Sequence, residues 1–210
     1  MTGTTTRAIP GDVGAATDAH RDAGPGALPD DRPGALKIAV VGGFGAGRST
    51  MVRSVSEIRS LHTEEAMTGA EGSGRVPAKT ATTVALDFGR ITIDEERVLY
   101  LFGTPGQERF RFLWDRLLAG TSGAVVLVDT RAVADARFAI ERLGEQGTPF
   151  IVAVNDFGGP FRSEEEIRKD LALASLVPMV EFDARDHSSS KFVLIALVEH
   201  LHSLGLADGT

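Results

Sequence analysis

The sequence predicts an α/β domain: an open, mostly parallel sheet with one antiparallel edge strand and helices on both faces. Three observations lead there. Strands alternate with helices after a single hairpin. The strands are near-continuous apolar runs, such as Val125-Val126-Leu127-Val128, as strands covered on both faces are. A glycine-rich loop, Gly42-Gly43-Phe44-Gly45-Ala46-Gly47-Arg48-Ser49, joins the first strand to the first helix. In such sheets ligands sit at the carboxyl ends of the strands, where this loop falls.

Taken in order, residues 1 to about 35 are rich in Gly, Ala, Pro, Asp and Thr and hold few large apolar side chains. They cannot bury enough surface to offset chain entropy, which predicts a disordered tail, with a docking segment as the functional alternative. The first strand covers about 36–41. The loop follows, then a helix with Met51, Val52, Val55, Ile58 and Leu61 that should end near Leu61. Residues 62–82 are polar and read as a long loop. A hairpin comes next, 83–93 and 97–102, turning at Asp94-Glu95-Glu96. Val84, Leu86 and Phe88 share one parity and Ile91 and Ile93 the other, which suggests a bulge at Gly89-Arg90.

After Gly103-Thr104-Pro105-Gly106-Gln107, the positions Phe110, Leu113, Trp114, Leu117 and Leu118 fall on one helical face. Phe112 falls on the opposite side, with Arg116. Gly123 to Asp129 is a buried strand, 134–146 a helix, and Phe150 to Val154 a strand ending in Asn155-Asp156-Phe157-Gly158. Ser163 with Glu166 makes a capping box for a helix to about Leu173. Pro178 to Phe182 is a last strand. Asp183-Ala184-Arg185 leads to a final helix at about 189–204, with Gly205 behind it as a C-cap.

The glycine loop carries the chemistry. It matches the phosphate-binding consensus G-x-x-x-x-G-K-[ST] at Gly42, Gly47 and Ser49, with Arg48 in place of Lys. Glycines let the backbone approach an anion, and the helix that follows points its first amides at it. A planar guanidinium is not equivalent to a compact ammonium there. The chain has 210 residues, net charge -7 and no cysteine. That argues against general nucleic-acid binding and excludes thiol chemistry. No apolar run is long enough to span a bilayer and no lipidation motif is visible, so a cytoplasmic protein without a direct membrane anchor is expected.

The order of motifs resembles Ras-like small GTPases over roughly 36–206. The residues that carry it are the Gly42–Ser49 loop, Thr82-Thr83-Val84-Ala85-Leu86-Asp87-Phe88-Gly89, Leu101 to Gln107, Asn155 and Asp183-Ala184-Arg185. More closely, it is similar to bacterial GTPases encoded beside Roadblock-type proteins in actinobacterial conservons, and to the bacterial gliding and polarity GTPases. The resemblance implies a P-loop NTPase with a Ras-like six-stranded sheet, using GTP or GDP and Mg²⁺. It places Gly42, Gly45, Ala46, Gly47, Arg48, Ser49 and Thr50 around the phosphates, and Ser49 and Thr83 on Mg²⁺. Gly106 would donate its amide to the γ-phosphate, and Gln107, with Arg48, would serve hydrolysis. Asn155, Asp156, Ala184 and Arg185 would line the base, with the Ala184 amide on guanine O6. Residues 62–83 and 103–116 would be the switch regions read by partner proteins, a Roadblock-type protein among them. Phe112, with Arg109 and Arg116, is the surface such a partner would use.

Two departures from the family pattern bear on activity beside Arg48. Gly103 stands where many GTPases place the Asp of Asp-x-x-Gly. Gly158 stands where the guanine-reading Asp should be, which predicts relaxed base selectivity. The expected function is a GTP-binding switch with slow hydrolysis. The rival is a pseudo-GTPase that keeps the fold as an interaction module. An ATP-using enzyme is a third reading, for which no substrate site is visible.

Overall fold

A computed structural model of the chain describes residues 35–58, 63–67, 82–93, 97–105, 108–159 and 162–206. The expected tail before residue 35, the hairpin turn at 94–96, and Gly106 and Gln107 lie outside them.

Among the described residues seven strands form one sheet: β1 (Ala35–Gly42), β2 (Thr63–Met67), β3 (Thr82–Thr92), β4 (Val98–Gly103), β5 (Gly123–Asp129), β6 (Phe150–Asn155) and β7 (Met179–Phe182). Their order is β2-β3-β4-β1-β5-β6-β7. β4, β1, β5, β6 and β7 run parallel, and β3 is antiparallel to β4. These are the six strands the sequence predicts. β2 adds a seventh at the edge, antiparallel to β3, inside a stretch that reads as loop. Thr-Glu-Glu-Ala-Met has no apolar alternation, so its strand character comes from the free edge of β3 rather than from its own pattern.

Among the described residues five α-helices flank the sheet: α1 (Arg48–Val55), α2 (Trp114–Leu118), α3 (Arg137–Gln146), α4 (Glu164–Leu171) and α5 (His187–Ser203). The alternation along each strand sorts two cores. Ile38, Val40, Leu99, Leu101, Val125, Leu127 and Ile151 pack under α1 and α5. Ala39, Val41, Val126, Val128 and Val152 pack under α2, α3 and α4. Burying both faces is why the central strands carry almost no polar residue.

Three local expectations are corrected. α1 stops at Val55, well short of Leu61: Ser56 is extended, its hydroxyl accepts from the Arg90 amide, and the Glu57 amide donates to the Arg90 carbonyl at 2.8 Å. Docking on β3 therefore ends the helix before its apolar period runs out. The second correction concerns β3, which has no bulge. Its register against β4 is unbroken from Asp87↔Gly103 to Thr92↔Val98. The change of parity instead reflects a change of buried face. Ile91 and Gly89 face α1, where a β-carbon at 89 would come 2.8 Å from Val52, while Phe88 packs on Tyr100 and Phe102. Last, the helix expected at Phe110 begins as a 3-10 helix, Glu108–Leu113, before α2. The capping box of α4 is formed in both directions between Ser163 and Glu166.

Candidate functional site

The glycine loop leaves β1 and enters α1 with three residues at positive φ: Gly42 at 149°, Gly45 at 79° and Gly47 at 101°. Packing forbids a side chain at two of them. A β-carbon on Gly42 would come 2.6 Å from the Leu127 carbonyl oxygen, and one on Gly47 would come 2.3 Å from Asn155 Nδ2. Phe44, between the glycines, is exposed at the loop tip. Thr50 lies one residue beyond Ser49 on the first turn of α1.

Buried Asn155, at the end of β6, ties this loop to the next one. Its Nδ2 donates to the Ala46 carbonyl at 3.1 Å, and its Oδ1 accepts from the Ala184 amide at 3.0 Å. The Ala184 amide, which the resemblance directs at guanine O6, donates to Asn155 in this structure. A buried amide cannot be left without an acceptor, and Asn155 provides it.

At the mouth of the loop stands a carboxylate to which the sequence reading gave no role. Asp87 of β3 lies opposite Gly103 of β4, buried, and its Oδ2 accepts from the Ser49 hydroxyl. A β-carbon at 103 would come 2.9 Å from Asp87 Cβ and 3.1 Å from Asp87 Oδ2. The side chain absent from position 103 is the room that Asp87 fills from the neighbouring strand. Asp87 sits inside the recognised Thr82–Gly89 segment. Only strand pairing reveals that it meets Ser49, 38 residues away.

Arg48, which stands in place of the consensus Lys, reaches the end of β4. Its Nη1 donates to the Thr104 carbonyl, at the end of β4. Burial lowers the pKa of its guanidinium, and the Asp87 charge opposes that shift. The cation therefore bridges α1 to the segment that begins at Thr104. The Thr104 hydroxyl is buried and has no partner among the described residues. Ser49 and Asp87 thus bring a hydroxyl and a carboxylate to one place. These are hard oxygen donors of the kind that Mg²⁺ takes. Thr83 has its backbone in β3, paired with Ala66; its side chain, Gly106 and Gln107 lie outside the described residues.

In the loop after β6, Asp156 Oδ1 accepts from the Gly158 amide at 2.7 Å, and Gly158 sits at φ 67° with open space where a side chain would be. Arg185 forks onto Asp183, holding that carboxyl down to about 2. A cavity of about 600 Å³ lies at the opposite, amino ends of β5 and β6, lined by Leu118, Thr121, Gln146 and Pro149. It is remote from the glycine loop, and no cluster of ionisable groups marks it as a site of chemistry.

A family model described as "Conserved hypothetical ATP binding protein" matches residues 40–203. The chain is 32% identical over 94 residues to the uncharacterized protein MJ1339 of Methanocaldococcus jannaschii, covering 45% of this chain and 51% of that protein. It thus spans about half the length of that relative. In three dimensions it is similar to the G-domain of FeoB from Methanococcus jannaschii. The TM-score is 0.58 at 14% identity, over 80% of this chain and 99% of that one. At such identity the likeness shows the fold, a G-domain type of P-loop fold.

Proposed function

Since the chain belongs to the family described as conserved hypothetical ATP binding proteins, we propose that it is a nucleotide-binding protein. In our reading it works as a GTP/GDP switch with slow intrinsic hydrolysis. The observation that carries this is the juxtaposition of the glycine loop with Ser49 and Asp87. A loop shaped only for packing has no need of a buried carboxylate and hydroxyl at its mouth.

The amides of Gly45 to Ser49 face the phosphates, and the N-terminus of α1 favours their charge. Ser49 and Asp87 are the residues that would hold Mg²⁺, which would supply charge neutralisation of the phosphates. Asp87 takes the place of the Asp missing at Gly103. Asn155 keeps the loop shape by bracing Ala46 and Ala184. By the resemblance, Gln107 would orient the attacking water and Thr83 would be a further ligand to the metal. Residues 62–83 and 103–116 carry the nucleotide state to protein partners, of which a Roadblock-type protein is one.

A second reading, a pseudo-GTPase, is favoured by one observation: the Arg48 guanidinium donates to the Thr104 carbonyl. Titration calorimetry with GTP, GDP and ATP, with and without Mg²⁺, separates the two, together with phosphate release over hours. Mg²⁺-dependent binding supports the switch. No heat with any nucleotide leaves the interaction module.

A further inference from the structure

Arg48 opens α1 directly behind the glycine loop. Its hydrogen bond goes to a neutral acceptor, the Thr104 carbonyl. Burial disfavours its charge, and Asp87 is near enough for its own charge to be felt. A guanidinium carries five N–H donors, so one carbonyl leaves most of them free to engage an anion.

The segment that Arg48 holds is pinned at successive points. The Thr104 amide donates to the Val40 carbonyl at 3.1 Å. The Thr104 carbonyl accepts from Arg48. The Pro105 carbonyl accepts from Trp114 Nε1 at 3.3 Å. Arg48 and Trp114 grip these adjacent carbonyls from opposite sides of the sheet. α1 packs into the core under one face, and Trp114 belongs to the core under the other. Trp114 is buried edge-on to Phe138, at 5.1 Å between ring centroids, and follows the 3-10 helix that exposes Phe112. Two peptide groups, 104 and 105, therefore stand between the glycine loop and the Phe112 surface.

Building on the nucleotide site above, we propose that Arg48 is a positioning residue that couples the glycine loop to the Phe112 surface. A di- or polyphosphate held by the loop draws the guanidinium off the Thr104 carbonyl, and the segment from Thr104 to Trp114 loosens. A hydrogen bond between two charged groups is roughly twice as strong as one to a neutral acceptor. That difference is what a ligand needs in order to shift an equilibrium between two arrangements. The planar fork suits this role, since it can take a second acceptor before it leaves the first, whereas an ammonium is a point charge.

The test follows the full chain in EDTA, so that no metal contributes, with inorganic pyrophosphate and with GDP. Calorimetry measures binding and hydrogen exchange measures the segment. Emission adds a spectroscopic signature, because Trp114 is the one tryptophan of the chain. In wild type, saturation should speed exchange of the 108–118 amides by roughly ten- to a hundredfold, the worth of one hydrogen bond to a charged group, and change the Trp114 emission. Arg48→Ala should show both changes without any anion, and pyrophosphate should add nothing to them. Arg53→Ala, which removes an exposed arginine from the same helix, should respond as wild type does. Binding that leaves exchange and emission unmoved in wild type overturns the proposal. So does an Arg48→Ala chain that still responds to pyrophosphate, or an Arg53→Ala chain that binds and does not respond. If Arg48→Ala fails to fold, the wild-type arm decides alone. If neither pyrophosphate nor GDP gives heat, the nucleotide site falls and the coupling with it; if they bind without moving the segment, only the coupling falls.

Discussion

Asn155 shows how much one side chain can hold. It satisfies a buried carbonyl on the glycine loop and a buried amide on the loop after β7. Asn155→Ala leaves both unpaired, at about 1–3 kcal/mol each. A urea melt should show that loss even without nucleotide, because the groups belong to the fold as well as to the site. Asp183 gives a pH signature. Its fork with Arg185 lowers its carboxyl to about 2, from an ordinary value of about 3.9. A depressed carboxylate contributes stability that is fully present above the ordinary value and is lost as pH falls toward 2. NMR titration should place its midpoint near 2 in wild type, and Arg185→Ala should return it toward the ordinary value.

Among the elements, β3 is the one the site depends on, since it delivers Asp87 while its far half packs on α1. That packing requires Gly89, where a β-carbon would come 2.8 Å from Val52. Gly89→Val should therefore destabilise by about 1–3 kcal/mol through overpacking, read by thermal melting, and would splay α1 from the sheet. The 3-10 helix before α2 has the opposite character on its outer side. Phe112 is 61% exposed, while Phe110, Trp114 and Leu118 are buried. Phe112→Ala should change stability by less than about 0.5 kcal/mol. As part of the proposed switch surface, the same change should abolish partner capture. A loss of several kcal/mol in folding would contradict the exposed position.

For the whole molecule, ligand binding and stability are linked. Any nucleotide that binds only the folded state adds about 2.7 kcal/mol at a hundred times its dissociation constant, which raises Tm by about 5–10 °C for a chain of this size. Part of that rise should need Mg²⁺. Asp87→Asn should remove the Mg²⁺-dependent part and keep the rest, because it retains shape but loses the charge that binds a hard cation. An unchanged Mg²⁺ increment would place the metal on other ligands.

Local pattern was enough for most of the architecture. Apolar runs bounded by glycine and Asp or Asn mark the parallel strands, the capping box at Ser163 and Glu166 marks the start of α4, and Gly42 to Ser49 marks the loop. These are determined by sequence alone because each depends on neighbours within one or two turns of chain. Contacts across the chain decided the rest. β2 exists because β3 offers an open edge, and α1 ends where β3 takes up its exit. Asp87 reaches Ser49 only through the β3–β4 ladder, and Arg48 finds the Thr104 carbonyl across 56 residues. Spacing in sequence cannot reveal a carboxylate that enters a site from the neighbouring strand. The position left empty at Gly103 becomes intelligible only once that strand is seen beside it, since the two share one volume that holds a single side chain.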